Sequence, residues 1–494
     1  YFKIAADKDS PEGMLYYAHM LKKGIGTYKN KEEALKYYKS AAEQGHVAAT
    51  VSYARMLYNG IGCKVDKKEA ARKYKIAADL GHQESMITYA RMYDIGDEVP
   101  VDQKESVQYY KKAADAGDID AMFIYAKKLM NGENGVVADK EKAIEYFKKS
   151  ADLGQVQSML SYSHILAIGD GCEVDKEKAA LYCKKAADTG DTESNYLYAI
   201  KLKAGDGVEC DKSLSAEYFK KAAQLGHVDS MYIYALIAET GDGIPVDMED
   251  AAAFYKKAAD NGHADSMYKY SKMTDNEKES YNYWELAITH KQKDALYDNA
   301  LFIYEGNVPN KGHAESAPLF KLAADCGNIN AMYRYAVMLD TGDGIPVDKR
   351  TASFYYKFAA ENGQSDAINK YASMLFNGVG VPIDKKGAVR FFKLGANNGN
   401  AECAYNYGVM LMTGNFIKED KKEAAKYFKI GADKGDVNSM FIYAVMNDNG
   451  DGIQTDKNEA ACYFQKAAKK GDVESMYNLA MMLKKGDGID PDKS

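Results

Sequence analysis

The sequence predicts an all-α fold, a right-handed superhelical solenoid of about fourteen antiparallel helix pairs. Three observations carry this. A Tyr–Ala pair recurs as Tyr17–Ala18, Tyr53–Ala54, Tyr89–Ala90, Tyr125–Ala126, Tyr198–Ala199, Tyr234–Ala235, Tyr335–Ala336, Tyr371–Ala372 and Tyr443–Ala444, at the spacing of about 36 residues that marks helix-pair repeats. Each period holds two stretches of helix-spaced apolar residues divided by a glycine-containing loop. Only 8 prolines occur in 494 residues, which suits uninterrupted helices.

The unit from Asp118 to Gly154 shows each element in order. Asp118, after Gly117, is the expected N-cap of a first helix, A. Met122, Tyr125, Ala126 and Leu129 then fall on one face, with Ala126 small enough to admit a neighbouring helix. The loop Asn131–Gly132–Glu133–Asn134–Gly135 ends helix A. Asp139 caps helix B, which carries Ala143, Tyr146, Phe147, Ser150 and Ala151 inward and stops at Gly154. Elsewhere this cap reads Asp-x-x-Glu, as in Asp66/Glu69, Asp102/Glu105, Asp420/Glu423 and Asp456/Glu459, predicting reciprocal capping boxes. Lysines collect in the last turn of helix B, where the helix dipole favours them.

These residues resemble the Sel-one-like repeat, a relative of the tetratricopeptide repeat. The match is nearly position for position over Met231–Gly262 and extends over essentially the whole chain. The resemblance implies a non-catalytic scaffold or adaptor that assembles a multi-protein complex, as in ubiquitin-ligase assemblies and signalling platforms. It also implies that the A helices line the concave face.

The period fails once. The next unit after Tyr270 arrives about seven residues early and lacks the Gly-x-Gly loop, so Thr274–Glu277 leads almost directly into Tyr281–Trp284. In the following unit Pro318 stands inside a B helix, which predicts a restart with Ser316 as cap and Pro318 in the first turn. The chain therefore divides into a regular N-terminal arm, 1–269, irregular repeats at 270–329, and a regular C-terminal arm, 330–494. The irregular stretch is read either as a hinge or as a deletion absorbed by local repacking. Trp284, the only tryptophan, is read as core.

The net charge is −7, from 65 basic and 72 acidic residues that alternate locally, which gives no nucleic-acid footprint. No apolar run approaches the roughly 20 residues that span a bilayer. The 7 scattered cysteines suit reduced thiols and a cytoplasmic, conceivably cytoskeletal, location. Both ends cut a unit in half, the second at Asp490, so the chain reads as an excerpt of a longer protein.

By the family analogy, two registers of helix A face the groove. The residue after the recurrent methionine becomes aromatic in later units: Tyr196, Tyr232, Tyr268, Tyr297, Tyr333, Tyr405, Phe441 and Tyr477. The residue after Tyr–Ala is basic in early ones, as His19, Arg55, Arg91 and Lys127, and mostly aliphatic later. The expected sites are thus a basic arm for an acidic segment and an aromatic arm for an apolar peptide; equally, these side chains could pack between units. The rival functions are a component of a cytoskeletal or ciliary assembly, and the regulatory region of a longer enzyme such as a protein kinase.

No enzyme, metal or cofactor is expected. The triplets Asp188–Gly190 and Asp340–Gly342 fall at the ends of different helices, unlike a proteolytic carboxylate pair. Gly-Asp-Gly loops at 241–243, 342–344 and 450–452 follow helices and carry an acid that repels phosphate. The loop from Asn447 to Asn458 lacks the glutamate of a calcium site. His46, His82, His227 and His263 share one register after the glycine of helix B, a capping position rather than a metal cluster.

Overall fold

A computed structural model describes residues 1–132 and 137–488. The predicted loop residues Glu133–Gly135 and the half-unit beginning at Asp490 lie outside them. Among the described residues the chain forms 28 α-helices and no strand. They alternate as B and A helices, nearly all 13 residues long. Two compact units are present, Tyr1–Ala258 and Ala259–Ser494. Each is a run of helix pairs in which every helix packs chiefly on those before and after it.

The local rules that build one pair recur along each unit. Every A helix in the regular repeats starts on a side-chain cap whose acceptor takes the N–H three residues on: His46, His82, Asp118, Asp191 and His227 in the first unit; Asn328, Gln364, Asn400 and Asp436 in the second. For the histidines the acceptor is Nδ1, as at Ala49 N–H to His46 (3.3 Å). The A helix ends on a left-handed glycine, such as Gly60, Gly205 or Gly378, where a side chain would be strained.

The B helices start on the expected aspartates, but not by capping boxes. Asp66, Asp102, Asp420 and Asp456 each accept the N–H of the glutamate three residues on. The reciprocal bond is absent because the aspartate's own N–H is already given to the preceding A helix, to Leu57, Tyr93, Leu411 and Asn447 carbonyls at 2.9–3.0 Å. The glutamates turn outward instead, Glu105 to Lys75 and Glu459 to Lys429. At Gly312/Glu315 only the return half of a box forms: Glu315 accepts the Gly312 N–H at 2.9 Å, and glycine has no side chain to cap with.

This helix start also overturns the predicted restart at Ser316. The helix His313–Asp325 runs unbroken with Pro318 inside it, and the Ser316 hydroxyl bonds back to the His313 carbonyl at 2.8 Å. The helix begins at His313, five residues upstream of the proline, with Glu315 tying down the Gly312 N–H, and proline's fixed φ is itself helical. Trp284 is half-buried rather than core. It packs on Met267, Ala287 and Ala295 in a small cluster, and Ala287 is the one buried residue of its helix, Glu277–Thr289.

Packing within a pair is aromatic. The tyrosine that keeps the repeat in most A helices meets the aromatic at the seventh position of the following B helix edge-on; Tyr53 instead lies under Lys73. Tyr17–Tyr37, Tyr89–Tyr109, Tyr162–Tyr182, Tyr198–Tyr218, Tyr407–Tyr427 and Tyr443–Tyr463 have ring centroids 4.7–5.0 Å apart. The small residue after each of those A-helix tyrosines is buried, alanine at Ala18, Ala90, Ala199 and Ala444, serine at Ser163 and glycine at Gly408, so backbones come close there.

Two ladders join one pair to the next. The seventh-position B tyrosine donates to the residue that closes the previous B helix: Tyr109 to Asp79, Tyr182 to Asp152, Tyr218 to Asp188, Tyr355 to Asp325 and Tyr427 to Asn397, at 2.6–3.1 Å. Tyr146–Asp115 and Tyr463–Asp433 continue it. In the second ladder the lysine opening a B helix pairs with the loop aspartate one repeat on. Lys67–Asp97, Lys176–Asp206, Lys212–Asp242 and Lys421–Asp451 lie at 2.7–2.9 Å, and Lys140–Asp170 belongs with them. The acid of the Gly-Asp-Gly loops is therefore an inter-repeat clamp. At one rung a histidine replaces the lysine: His313 contacts Asp343 at 2.6 Å and stacks on Tyr304 at 4.0 Å.

A recurrent groove between A helices as the candidate binding site

Three cavities open between consecutive A helices, two of them over the eighth-position aromatic of a B helix. One, of about 390 Å³, lies between helices Thr192–Ala204 and Val228–Thr240, with Phe219 as floor and Ile200, Leu236 and Thr240 as walls. One, of about 340 Å³, lies between Ser365–Asn377 and Ala401–Thr413 over Phe392, between Ser373 and Val409. One, of about 280 Å³, is lined by Phe2, Leu15, Tyr16, His19 and Ser52. The floors are held by the core: Phe219 is 1% and Phe392 3% exposed.

The register after Tyr–Ala, the ninth position of helix A, supplies His19, Ile200, Leu236, Ser373 and Val409 to these cavities. The sequence reading missed the sixth and thirteenth positions, among them Ile233, Thr240 and Asn406, and the B-helix floor. Their signal is the same helical spacing carried one turn further, hidden because these side chains change type from unit to unit.

The register after the methionine is placed differently. Tyr196, Tyr232, Tyr297, Tyr333, Tyr405 and Phe441 are half-buried, with rings 5.8–6.2 Å from the eighth-position aromatic of the next B helix. They form the rim between core and groove, and of these only Tyr405 and its early equivalent Leu15 reach a described cavity wall. Tyr268 is half-buried and donates to Asp298 at 3.0 Å. Tyr477 is 66% exposed, on the last described A helix.

The basic register is less uniform than its residue types suggest. Arg55 is bonded to Glu84 of the next A helix at 2.8 Å. Arg91 and Lys127 are exposed. His19 is hydrogen-bonded to the Tyr38 hydroxyl at 2.9 Å, and burial, then Lys23 and Lys22, hold its pKa below the ordinary value. Burial pushes the Tyr38 phenol up to about 12.

Elsewhere the titrating groups serve the ladders. Asp97 is held below its ordinary value by the hydrogen bonds of Lys67 and then Tyr58, Asp206 by those of Lys201 and then Lys176, and Asp343 by those of His313 and then Tyr304. Among the described residues no cluster of three or more His, Cys, Asp or Glu side chains could hold a metal, and no helix is long and apolar enough to cross a membrane. What the grooves offer is shape, apolar surface and scattered hydrogen-bonding groups.

A model of the Sel1 repeat matches twelve times, in seven contiguous copies over residues 11–263 and five over 329–494. No protein with a curated description matches the chain. Among solved structures, a protective antigen present in uropathogenic Escherichia coli strains, displaying an SLR fold, aligns over 90% of this chain and 96% of its own, with 23% identity and a TM-score of 0.68. A Sel1 repeat protein from Oxalobacter formigenes aligns over 69% of this chain and 90% of its own, with 20% identity and a TM-score of 0.35. Helicobacter pylori cysteine rich protein B covers 27% of this chain and 95% of its own, with 26% identity and a TM-score of 0.23. The helix-pair architecture and the twelve matches agree, and the chain belongs to the Sel1 repeat family.

Proposed function

We propose that the chain is a protein-interaction scaffold that holds segments of partner proteins in the grooves between its A helices. Sel1 repeat proteins are generally protein-interaction scaffolds. The observation that carries the reading here is the recurrence of one cavity at one place in the repeat, with apolar walls and a rigid aromatic floor. An array of equivalent shallow sites engages an extended partner at several points, and linked weak contacts add through effective concentration. Ile200 and Leu236 supply desolvatable area for apolar side chains, while the exposed Arg91 and Lys127 suit an acidic stretch.

The test is charge placed in the groove without disturbing the core. Ile200 is 40% exposed and Leu236 half-buried, so Ile200→Glu and Leu236→Glu should each leave the melting temperature within about 2 °C. Partners identified by proximity labelling in the native cell, then purified, should bind the double variant at least tenfold more weakly. Unchanged affinity with an unchanged fold would exclude the groove as the binding surface.

A further inference from the structure

We propose that the cavity beside Phe416 is a pocket for one uncharged aromatic or long aliphatic side chain of an extended peptide, with the Phe416 ring as its movable wall. This deepens the scaffold reading and rests on it.

In the regular loops after the A helices the third residue is a left-handed glycine: Gly26, Gly62, Gly171, Gly207, Gly243, Gly380 and Gly452, with φ between 65° and 91°. Phe416 occupies that place at φ 69° and is 50% exposed; Glu98, at φ 56°, also replaces the glycine, but only at Phe416 is the residue a bulky ring. A bulky L-residue is strained in this region, and an exposed ring gains little from burial. Strain of this kind persists where it serves a site.

The loop has also lost its clamp. Asn415 stands where Asp97, Asp170, Asp206, Asp242 and Asp451 pair with a B-helix lysine, a place held by Ile25, Ile61 and Val379 in three further loops. The lysine in question, Lys385, has turned onto the aromatic rings. Its Nζ lies 3.4 Å from the centroid of Phe376 and 5.5 Å from that of Phe416, and it donates to the Phe376 carbonyl. Phe376 and Phe416 meet edge-on at 5.7 Å. An ion-pair rung has been exchanged for a cation–aromatic stack that borders the open space of about 340 Å³.

The lining fixes the class of occupant. Phe376, Phe392, Tyr405, Val409 and Phe416 make apolar walls; Asn377, Asn406, Asn415, Ser373 and Thr413 make a neutral polar rim. No charged residue lines it, in a chain that is 28% charged. The equivalent cavity at Ile200 has Lys203 and Asp242 at its lip. A charged side chain entering the Phe416 pocket would find no charged partner among the lining residues, and the nearby Lys385 is already engaged by the Phe376 ring and carbonyl, so charge complementarity selects a neutral one. Each carboxamide offers both a donor and an acceptor, the two groups a peptide unit presents, which favours a peptide over a free hydrocarbon. The volume is at the small end of ligand sites, about 300 Å³, enough for one ring and its flanking backbone.

The experiment is ¹⁹F NMR of the capped peptide acetyl-Gly-Ser-(4-fluoro-Phe)-Ser-Gly-amide with the whole chain. The expected result is concentration-dependent broadening, weakened at least tenfold in Phe416→Gly. That variant should melt no lower than the parent, because it restores the glycine that most of the equivalent loops carry. Val409→Glu should also abolish the broadening. Equal binding by Phe416→Gly, or a lower melting temperature of that variant without loss of peptide, would make the ring a packing element and overturn the proposal. So would 4-fluorobenzyl alcohol binding as tightly as the peptide, or a peptide with aspartate in both serine positions binding equally well. If no peptide binds while Ile200→Glu/Leu236→Glu still loses its partners, this pocket falls and the scaffold stands. If the peptide binds as expected while those partners are retained, the pocket stands and the Ile200 groove falls.

Discussion

Gly207 shows how much one residue carries in a repeat this regular. It sits at φ 75°, and a Cβ there would run into the carbonyl of Lys176 in the preceding helix pair. Gly226, at φ 100°, closes a B helix where an added Cβ would meet nothing within 4 Å. The two glycines look alike in the sequence and differ in physical task. Gly207→Ala should cost about 3 kcal/mol, from backbone strain plus a clash that neither backbone can relieve. Gly226→Ala should cost about 1 kcal/mol, from left-handed strain alone. Urea unfolding followed by far-ultraviolet circular dichroism separates them, and equal midpoints would refute the role given to the Lys176 contact. The sequence shows that both positions are turns; the close approach at one of them depends on where the neighbouring pair lies, which no local pattern encodes.

The helices are held in register by bonds between elements about thirty residues apart, and these were the least legible part of the fold. Tyr182 and Asp152 each read as an ordinary element of a B helix, the first apolar, the second a terminal acid. Only the pairing of successive B helices brings them to 2.6 Å. Tyr182→Phe removes that bond and leaves the carboxylate to water, so the expected loss is about 1 kcal/mol. A thermal or urea midpoint unchanged by the substitution would show that the ladder contributes nothing net. The capping boxes failed for a related reason: the pattern Asp-x-x-Glu was correct as a start signal, but the aspartate N–H had a better acceptor in Leu57 or Leu411, which sequence spacing does not reveal. The rung aspartates, paired with lysine or, at Asp343, with His313, add a pH dependence with a definite sign. Asp97, Asp206 and Asp343 are held below their ordinary values in the folded chain, so their contribution is present above pH about 4 and is lost as the pH falls through the lower folded values. The urea midpoint should therefore hold from pH 8 to 5 and fall below pH about 4. The fall should be shallower in Asp206→Asn/Asp343→Asn, and an identical acid limb in that variant would remove the rungs from the account.

At the scale of the whole molecule, the architecture was legible because it is stated many times over. Twelve Sel1 matches repeat the same apolar spacing, the same caps and the same glycines, and each copy corroborates the others. The binding chemistry was legible only in outline. The groove is built from positions that vary between units, and the ninth-position residues His19, Ile200 and Ser373 share a place but no chemistry. The break in the pattern was visible for the opposite reason, as an interruption of something otherwise constant: the family matches stop at residue 263 and resume at 329. Between them the helix Glu277–Thr289 buries Ala287 alone, whereas the helix Lys349–Glu361 of the same unit buries six residues. Repeat arrays gain stability from nearest-neighbour interfaces, so a helix with so little buried surface is the local minimum of its unit. Native-state hydrogen exchange should show this directly. Amides of Glu277–Thr289 should open at least 2 kcal/mol more easily than those of Lys349–Glu361, a difference of roughly thirtyfold in protection. Uniform protection across both helices would mean that the short repeat is as firmly packed as its neighbours, and the region 270–329 could then serve neither as a hinge nor as the place where the second unit first comes apart.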